Sequence, residues 1–303
     1  MTRLKRFLKN SVKSVILLKI SFSLILTVCG CTSSTAPAFS KENIAEAIRD
    51  ISEKEYALEV TVKLVGSTLW VYLPVEDLFA PADKPEKYIE RFNIETDKNK
   101  EEFAGETLRL QYLIKEIPEQ EKSQQVKYNQ EALDKISKVW RVLRRAVFSS
   151  RRGKWHEPQF YCILAADVKN GIEMREIFYV EDLKKVSYEF ISWTEYQHRA
   201  ISDMRLAPEL IGDRGGVNVA YRDITMRDFL LSQIRHRVKL RFQKPEAKKG
   251  VDIDKEVLKI VAFTIKTYDF RDFSELELDN LATNNKTVLN RAALWAKSSE
   301  ERF

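Results

Sequence analysis

Leu58-Glu-Val-Thr-Val-Lys-Leu-Val-Gly-Ser-Thr-Leu-Trp-Val-Tyr-Leu-Pro-Val75 is the stretch that decides the fold class. Before Gly66-Ser67, the residues Leu58, Val60, Val62 and Leu64 alternate with Glu59, Thr61 and Lys63; after it runs the apolar segment Leu69 to Val75. A period of two is that of a pleated strand with one buried face. A Gly-Ser pair between two such runs predicts a hairpin, Gly66 taking the positive φ of a type II′ turn. Just upstream, Ile44, Ile48 and Ile51 recur at i, i+4 and i+7 behind Ser40, a good N-cap, so residues 41–54 read as an amphipathic helix. The first unit, near 40–75, is therefore helix, strand, strand.

The same order recurs downstream. Leu133, Ile136, Val139, Trp140, Leu143 and Val147 hold helical spacing. Two apolar runs, Pro158 to Ala166 and Ile172 to Val180, then flank an Asn170-Gly171 turn, giving a second unit near 128–180. A third is expected near 225–268. There Thr225-Met-Arg-Asp228 resembles a capping box ahead of Phe229, Leu230 and Ile234, and Val238 to Phe242 and Val257 to Ile265 read as strands.

Between the units, residues 76–127 are punctuated by Pro81, Pro85 and Pro118, and only Thr107 to Ile114 reads as a strand. Trp193 to Met204 and Lys286 to Lys297 read as helices, and Gly212 to Gly216 as a loop. Hairpins need no crossover, and each helical stripe must be buried somewhere. Three αββ units thus predict an α+β fold, a mainly antiparallel sheet with its helices packed on one face. Whether the strands form one sheet or two stays open.

The N-terminus carries a different kind of signal. Arg3, Lys5, Arg6, Lys9, Lys13 and Lys19 precede the apolar run Ile20 to Val28 with no acid among them, the order of a secretory leader. That run falls well short of the roughly 20 residues a membrane span requires, so cleavage is expected. Val28-Cys29-Gly30-Cys31 resembles the lipobox of bacterial lipoproteins, an apolar residue and two small ones before the cysteine that becomes the new N-terminus. It departs from the family at Cys29, where a small non-thiol residue is usual. Leu26-Thr-Val-Cys29 is a rival register, disfavoured because Val28 before the cut is bulkier than Gly30. The resemblance covers only the first 31 residues. It implies a signal peptide over 1–30, a diacylglycerol thioether on the Cys31 sulfur and an acyl chain on its amine, two lipid signals that anchor stably where one is marginal. With Thr32 rather than aspartate after Cys31, a cell with two membranes would hold the protein in the outer one, facing the periplasm.

Cleavage changes the charge argument. The whole chain has 51 Lys+Arg against 45 Asp+Glu, but the leader removes basic residues only, and the mature chain is formally neutral. Net basicity therefore gives no argument for nucleic acid. Cys29 leaves and Cys31 is acylated, so Cys162 has no intramolecular disulfide partner. The polar tether 31–39 spans roughly 25 Å at most, at about 3.3 Å per residue, and holds the body 40–303 close to a membrane.

Within that body no catalytic, metal or cofactor pattern stands out. Cys162 sits between apolar neighbours in Phe160-Tyr-Cys-Ile-Leu164, as a buried thiol does. His156, His198 and His236 have no partner at i+3 or i+4 that would suggest a metal. The glycines of Gly212-Asp-Arg-Gly-Gly216 lack the spacing of a phosphate loop. Asp167, Glu173, Glu176, Glu181 and Asp182 cluster around the second hairpin and could supply two carboxylates for acid/base hydrolysis. Basic residues make the strongest constellation. Lys138, Arg141 and Arg145 lie opposite a helical stripe, and Arg235, Arg237, Lys239 and Arg241 share one face if their segment is extended. Such patches suit anionic lipid headgroups, an anionic envelope polymer or an envelope protein partner. The functional expectation is a membrane-anchored cell-envelope lipoprotein acting without a cofactor as an adaptor or assembly component. The alternative is an envelope hydrolase of glycan or peptide using the hairpin carboxylates.

Overall fold

The first hairpin pairs Val65 with Thr68 across Gly66, whose φ is +59°. The structure, a computed structural model, describes residues 43–95, 99–149, 158–243 and 248–300. The leader, Cys31, the tether, Ser40 and His156 lie outside the described residues. Asp223, far away in sequence, clamps the turn, its carboxylate accepting from Ser67 N and Thr68 Oγ1, each at 2.9 Å. Helix α1 (Ile44–Tyr56) precedes strands β1 (Thr61–Val65) and β2 (Thr68–Val75). The second unit forms likewise from α2 (Gln130–Ser149), β7 (Phe160–Asp167) and β8 (Ile172–Tyr179). Strand β2 lies parallel to β7, Thr68 opposite Phe160, which fuses the two hairpins. With β9 (Ile201–Leu206) they make a five-stranded sheet in the order β1-β2-β7-β8-β9.

On one face of this sheet Leu69, Val71, Leu73, Ile163 and Phe178 pack beneath α1, α2, α3 (Val180–Ser187) and α4 (Trp193–Arg199). The other face presents Trp70, Tyr72, Phe160, Cys162 and Leu164, and is closed by Ala207, Leu210, Ile224 and Phe229. Covered on both sides, β7 is buried at every position and shows an apolar run instead of alternation.

The expected third αββ unit does not form. Val238 to Phe242 belongs to α5 (Met226–Gln243), and Val257 to Ile265 to α6 (Ile253–Thr267). In α5 the buried residues Phe229, Leu230, Gln233, Ile234, Val238 and Phe242 follow helical spacing, and Asp252 caps α6 by accepting from Lys255 N at 3.0 Å. The Thr225–Asp228 capping box does form, Asp228 N donating to Thr225 Oγ1 at 3.2 Å. Two further helical expectations end early or start late. Helix α4 stops at Arg199 and gives way to β9, while Lys286 lies in a strand, β11 (Asn285–Asn290), and α7 (Arg291–Glu300) begins only after it.

A second, four-stranded sheet runs β11-β10-β5-β4, with β10 (Glu275–Asn280) parallel to β5 (Thr107–Tyr112), and β4 spanning Lys100–Ala104. Leu108, Leu110, Leu276 and Leu278 on one face pack against Leu230, Ile234, Val257, Val261 and Leu294 from α5, α6 and α7. Mixed pairing in both sheets makes the protein α+β, but helices do not keep to one face of the first sheet, since Phe229 of α5 packs opposite α1 to α4.

A two-stranded ribbon spans the distance between the two sheets. Strands β3 (Phe79–Ile94) and β6 (Ile114–Tyr128) pair from Phe79–Tyr128 at one end to Ile94–Ile114 at the other. Phe79 packs against the first core, and Phe92 and Ile114 belong to that of the second sheet. Residues 83–89 and 118–128 are exposed. Cross-strand ion pairs Lys87–Glu121 (2.7 Å), Arg91–Glu119 (2.9 Å) and Lys127–Asp83 (2.6 Å) lace them together.

Candidate functional site

A cavity of about 480 Å³ opens between α2, β8 and α4. Helical spacing puts Leu133, Ile136, Trp140, Arg141 and Arg144 along the side of α2 that lines it. Period two in β8 brings Glu176 and Phe178 to the helix-covered face of the sheet. Ser192 Oγ caps α4 by accepting from Glu195 N at 3.1 Å, and that short helix supplies Trp193 and Tyr196. Ser202 of β9 and His236 of α5 complete the lining.

Four aromatic rings pack edge to face or tilted here. Trp140 lies 4.4 Å from Phe178 and 5.5 Å from Tyr196 between centroids, and Trp193 lies 5.4 Å from Tyr196. Trp193 is 54% exposed and sits at the solvent side of the cluster. Among them the Glu176 carboxylate receives one long hydrogen bond, from Trp140 Nε1 at 3.4 Å, and burial raises its pKa above the usual carboxylate range. The Tyr196 side chain is 2% exposed, and its hydroxyl has no hydrogen-bond partner among the described residues. Burial pushes its pKa up, with the charges of Asp182 and Glu176 adding to the shift. Burial, then the nearby Lys239 and Arg237, hold His236 down at about 4, so its imidazole is neutral at physiological pH. Arg141 and Arg144 are exposed and have no ion-pair partner among the described residues.

The other basic residues singled out by sequence are dispersed. Lys138 pairs with Asp134 at 2.7 Å and Arg145 with Glu55 at 2.6 Å. Because their segment is helical, Arg235, Arg237, Lys239 and Arg241 do not share one strand face. Arg235 pairs with Glu101 at 2.8 Å and Arg241 with Glu256 at 2.7 Å. Arg237 is stacked 4.9 Å over Phe263, with its pKa lowered by burial. Lys239 lines a second cavity of about 390 Å³.

Most carboxylates of the second hairpin are already held. Asp167, fully buried, accepts from Leu78 N and Asn170 N at 2.8 Å each. Glu173 sits between Arg205 (2.7 Å) and Arg175 (2.5 Å), Asp182 binds Arg199 at 2.8 Å and Glu181 binds Lys184 at 2.8 Å. Glu176 alone of this group lines the cavity. In the Gly212–Gly216 loop, Asp213 draws the nearby amides of Val217 (2.9 Å) and Asn218 (2.8 Å) to its own carboxylate. Cys162 is fully buried and burial pushes its thiol pKa up, while His198 is exposed on α4. Among the described residues no three His, Cys, Asp or Glu side chains are grouped to hold a metal, and no helix is long and apolar enough to cross a membrane.

Trp193, Tyr196 and Phe178 escaped the sequence reading, since each fits a core stripe. The usable signal was Glu176, an acid between Met174 and Phe178 on the inward side of an alternating strand. No family model, curated protein or solved structure matches the chain.

Proposed function

We propose that this chain is a lipid-anchored bacterial cell-envelope protein that works as a non-enzymatic adaptor or assembly component. The lipobox-like Val28–Cys31 supports the address. The β3–β6 ribbon carries the adaptor reading. Tyr88, Ile89 and Val126 stand exposed along it amid cross-strand ion pairs, and apolar anchors set in a polar surround are what protein interfaces use. The hydrolase alternative is less well supported, because the carboxylates that could have partnered Glu176 are bound to arginines, a lysine or backbone amides. Contact with anionic headgroups or an envelope polymer falls chiefly to Arg141 and Arg144. Each such cation near an anionic bilayer contributes about 1 kcal/mol.

Photo-crosslinking from Tyr88 and Ile89 in the intact envelope tests the adaptor reading. A discrete adduct from the ribbon is expected; adducts arising only from control positions such as Lys255 would remove the ribbon from consideration. Cys31→Ser should abolish incorporation of labelled fatty acid and release the protein from the membrane fraction. Continued labelling of that variant would refute the anchor.

A further inference from the structure

We propose that the cavity between α2, β8 and α4 binds an aminoalkyl phosphate, its primary ammonium group seated at Glu176 and its phosphate held at the rim by Arg141 and Arg144. One acid with unmet hydrogen-bonding capacity lines this space. The Glu176 carboxylate has only the long indole contact at 3.4 Å. Buried polar groups are nearly always satisfied, and a carboxylate withdrawn from water calls for a counter-charge.

The surrounding rings point to the same kind of partner. Trp140, Trp193 and Tyr196 wall the space, and aromatic faces attract a cation. A primary ammonium fits better than a quaternary one, because only N–H groups donate hydrogen bonds to the carboxylate. Arg141 and Arg144, one turn apart on α2, line the same cavity, and guanidinium groups suit phosphate. At about 480 Å³ the cavity also leaves room for a hydrocarbon substituent along Leu133 and Ile136. The chemistry is shared by a free aminoalkyl phosphate and by a phosphatidylethanolamine headgroup. This site is independent of the ribbon, so either proposal can fail alone.

The test uses the full chain in a non-ionic detergent, with intrinsic tryptophan fluorescence reporting through Trp140 and Trp193. The probes are O-phosphoethanolamine, dihexanoyl phosphatidylethanolamine, phosphocholine and inorganic phosphate. Saturable binding of at least one ethanolamine probe is expected, and which one binds identifies a free or a lipid source. Glu176→Gln should weaken that binding about tenfold or more, and the Arg141→Ala/Arg144→Ala double variant should also weaken it. That double variant, at two exposed positions, serves if Glu176→Gln does not fold by circular dichroism. No saturable change with either ethanolamine probe overturns the assignment. So does phosphocholine or inorganic phosphate binding as tightly, or binding unchanged in a folded Glu176→Gln or Arg141→Ala/Arg144→Ala protein.

Discussion

Lowering the pH from 7.5 to 4.5 should destabilise this protein through His236 in particular. Its folded-state pKa is depressed from 6.5 to about 4, chiefly by burial and then by Lys239 and Arg237, with Asp203 opposing. The unfolded chain binds a proton at about 6.5. Between those values the unfolded state therefore holds a proton that the folded state refuses. The associated stability is fully present above about 6.5, declines as the pH falls and is exhausted below about 4. One pKa unit corresponds to about 1.4 kcal/mol. Most of the shift is expressed at pH 4.5, and residual solvent screening at a partly exposed ring reduces the effect to about 2 kcal/mol. Carboxylates titrate in the same range, so the readout is a comparison of guanidinium unfolding for the native protein and His236→Gln at both pH values. The variant should lose about 2 kcal/mol less on acidification. Equal losses in the two proteins would refute the argument, as would a His236 Cε1 proton resonance that titrates near 6.5 in the folded state.

Gly66→Ala should cost about 2 kcal/mol or more by chemical denaturation, because a Cβ there meets Asp223 Oδ2 at 2.2 Å in a backbone with φ of +59°. Asp223→Ala in that background removes the clash, so the double variant should lose less than the two single losses added. Asp167→Asn places an amide against the Leu78 or Asn170 N–H that the fully buried carboxylate now accepts, and about 2 kcal/mol of stability should disappear. Phe229, fully buried 5.1 Å from the Phe160 ring and 5.3 Å from that of Tyr268, should cost about 3–5 kcal/mol on truncation to alanine, read as a lowered denaturation midpoint.

The first two units were legible because their local signals agree: a strand-like run on each side of a glycine-bearing turn, and a helical stripe before it. The third misled because Val257 to Ile265 is a continuous apolar run, and such a run has no period of its own to separate strand from helix. In α5 the buried Gln233 interrupts the apolar stripe, and four basic residues alternating with His236, Val238, Leu240 and Phe242 imitate a strand. The ribbon was illegible for the opposite reason. Both of its faces are wet across the middle, so it has no apolar alternation, and its strands are matched by ion pairs that only the register reveals. The cavity draws on α2, β8, α4, β9 and α5, and no local pattern brings those together.

The two parallel pairings set the order in which the chain can fold. Strand β2 meets β7 about ninety residues later, and β5 meets β10 about 170 residues later. Loop closure over such distances comes before any reward from contact, and non-local pairing folds slowly. The hairpins can close as soon as they emerge, but β5 keeps an open backbone edge until Glu275 to Asn280 arrives. A chain interrupted before that point would present an unpaired strand edge to its neighbours, the starting condition for aggregation. Strand β10 thus acts as the closing piece for strands made long before it.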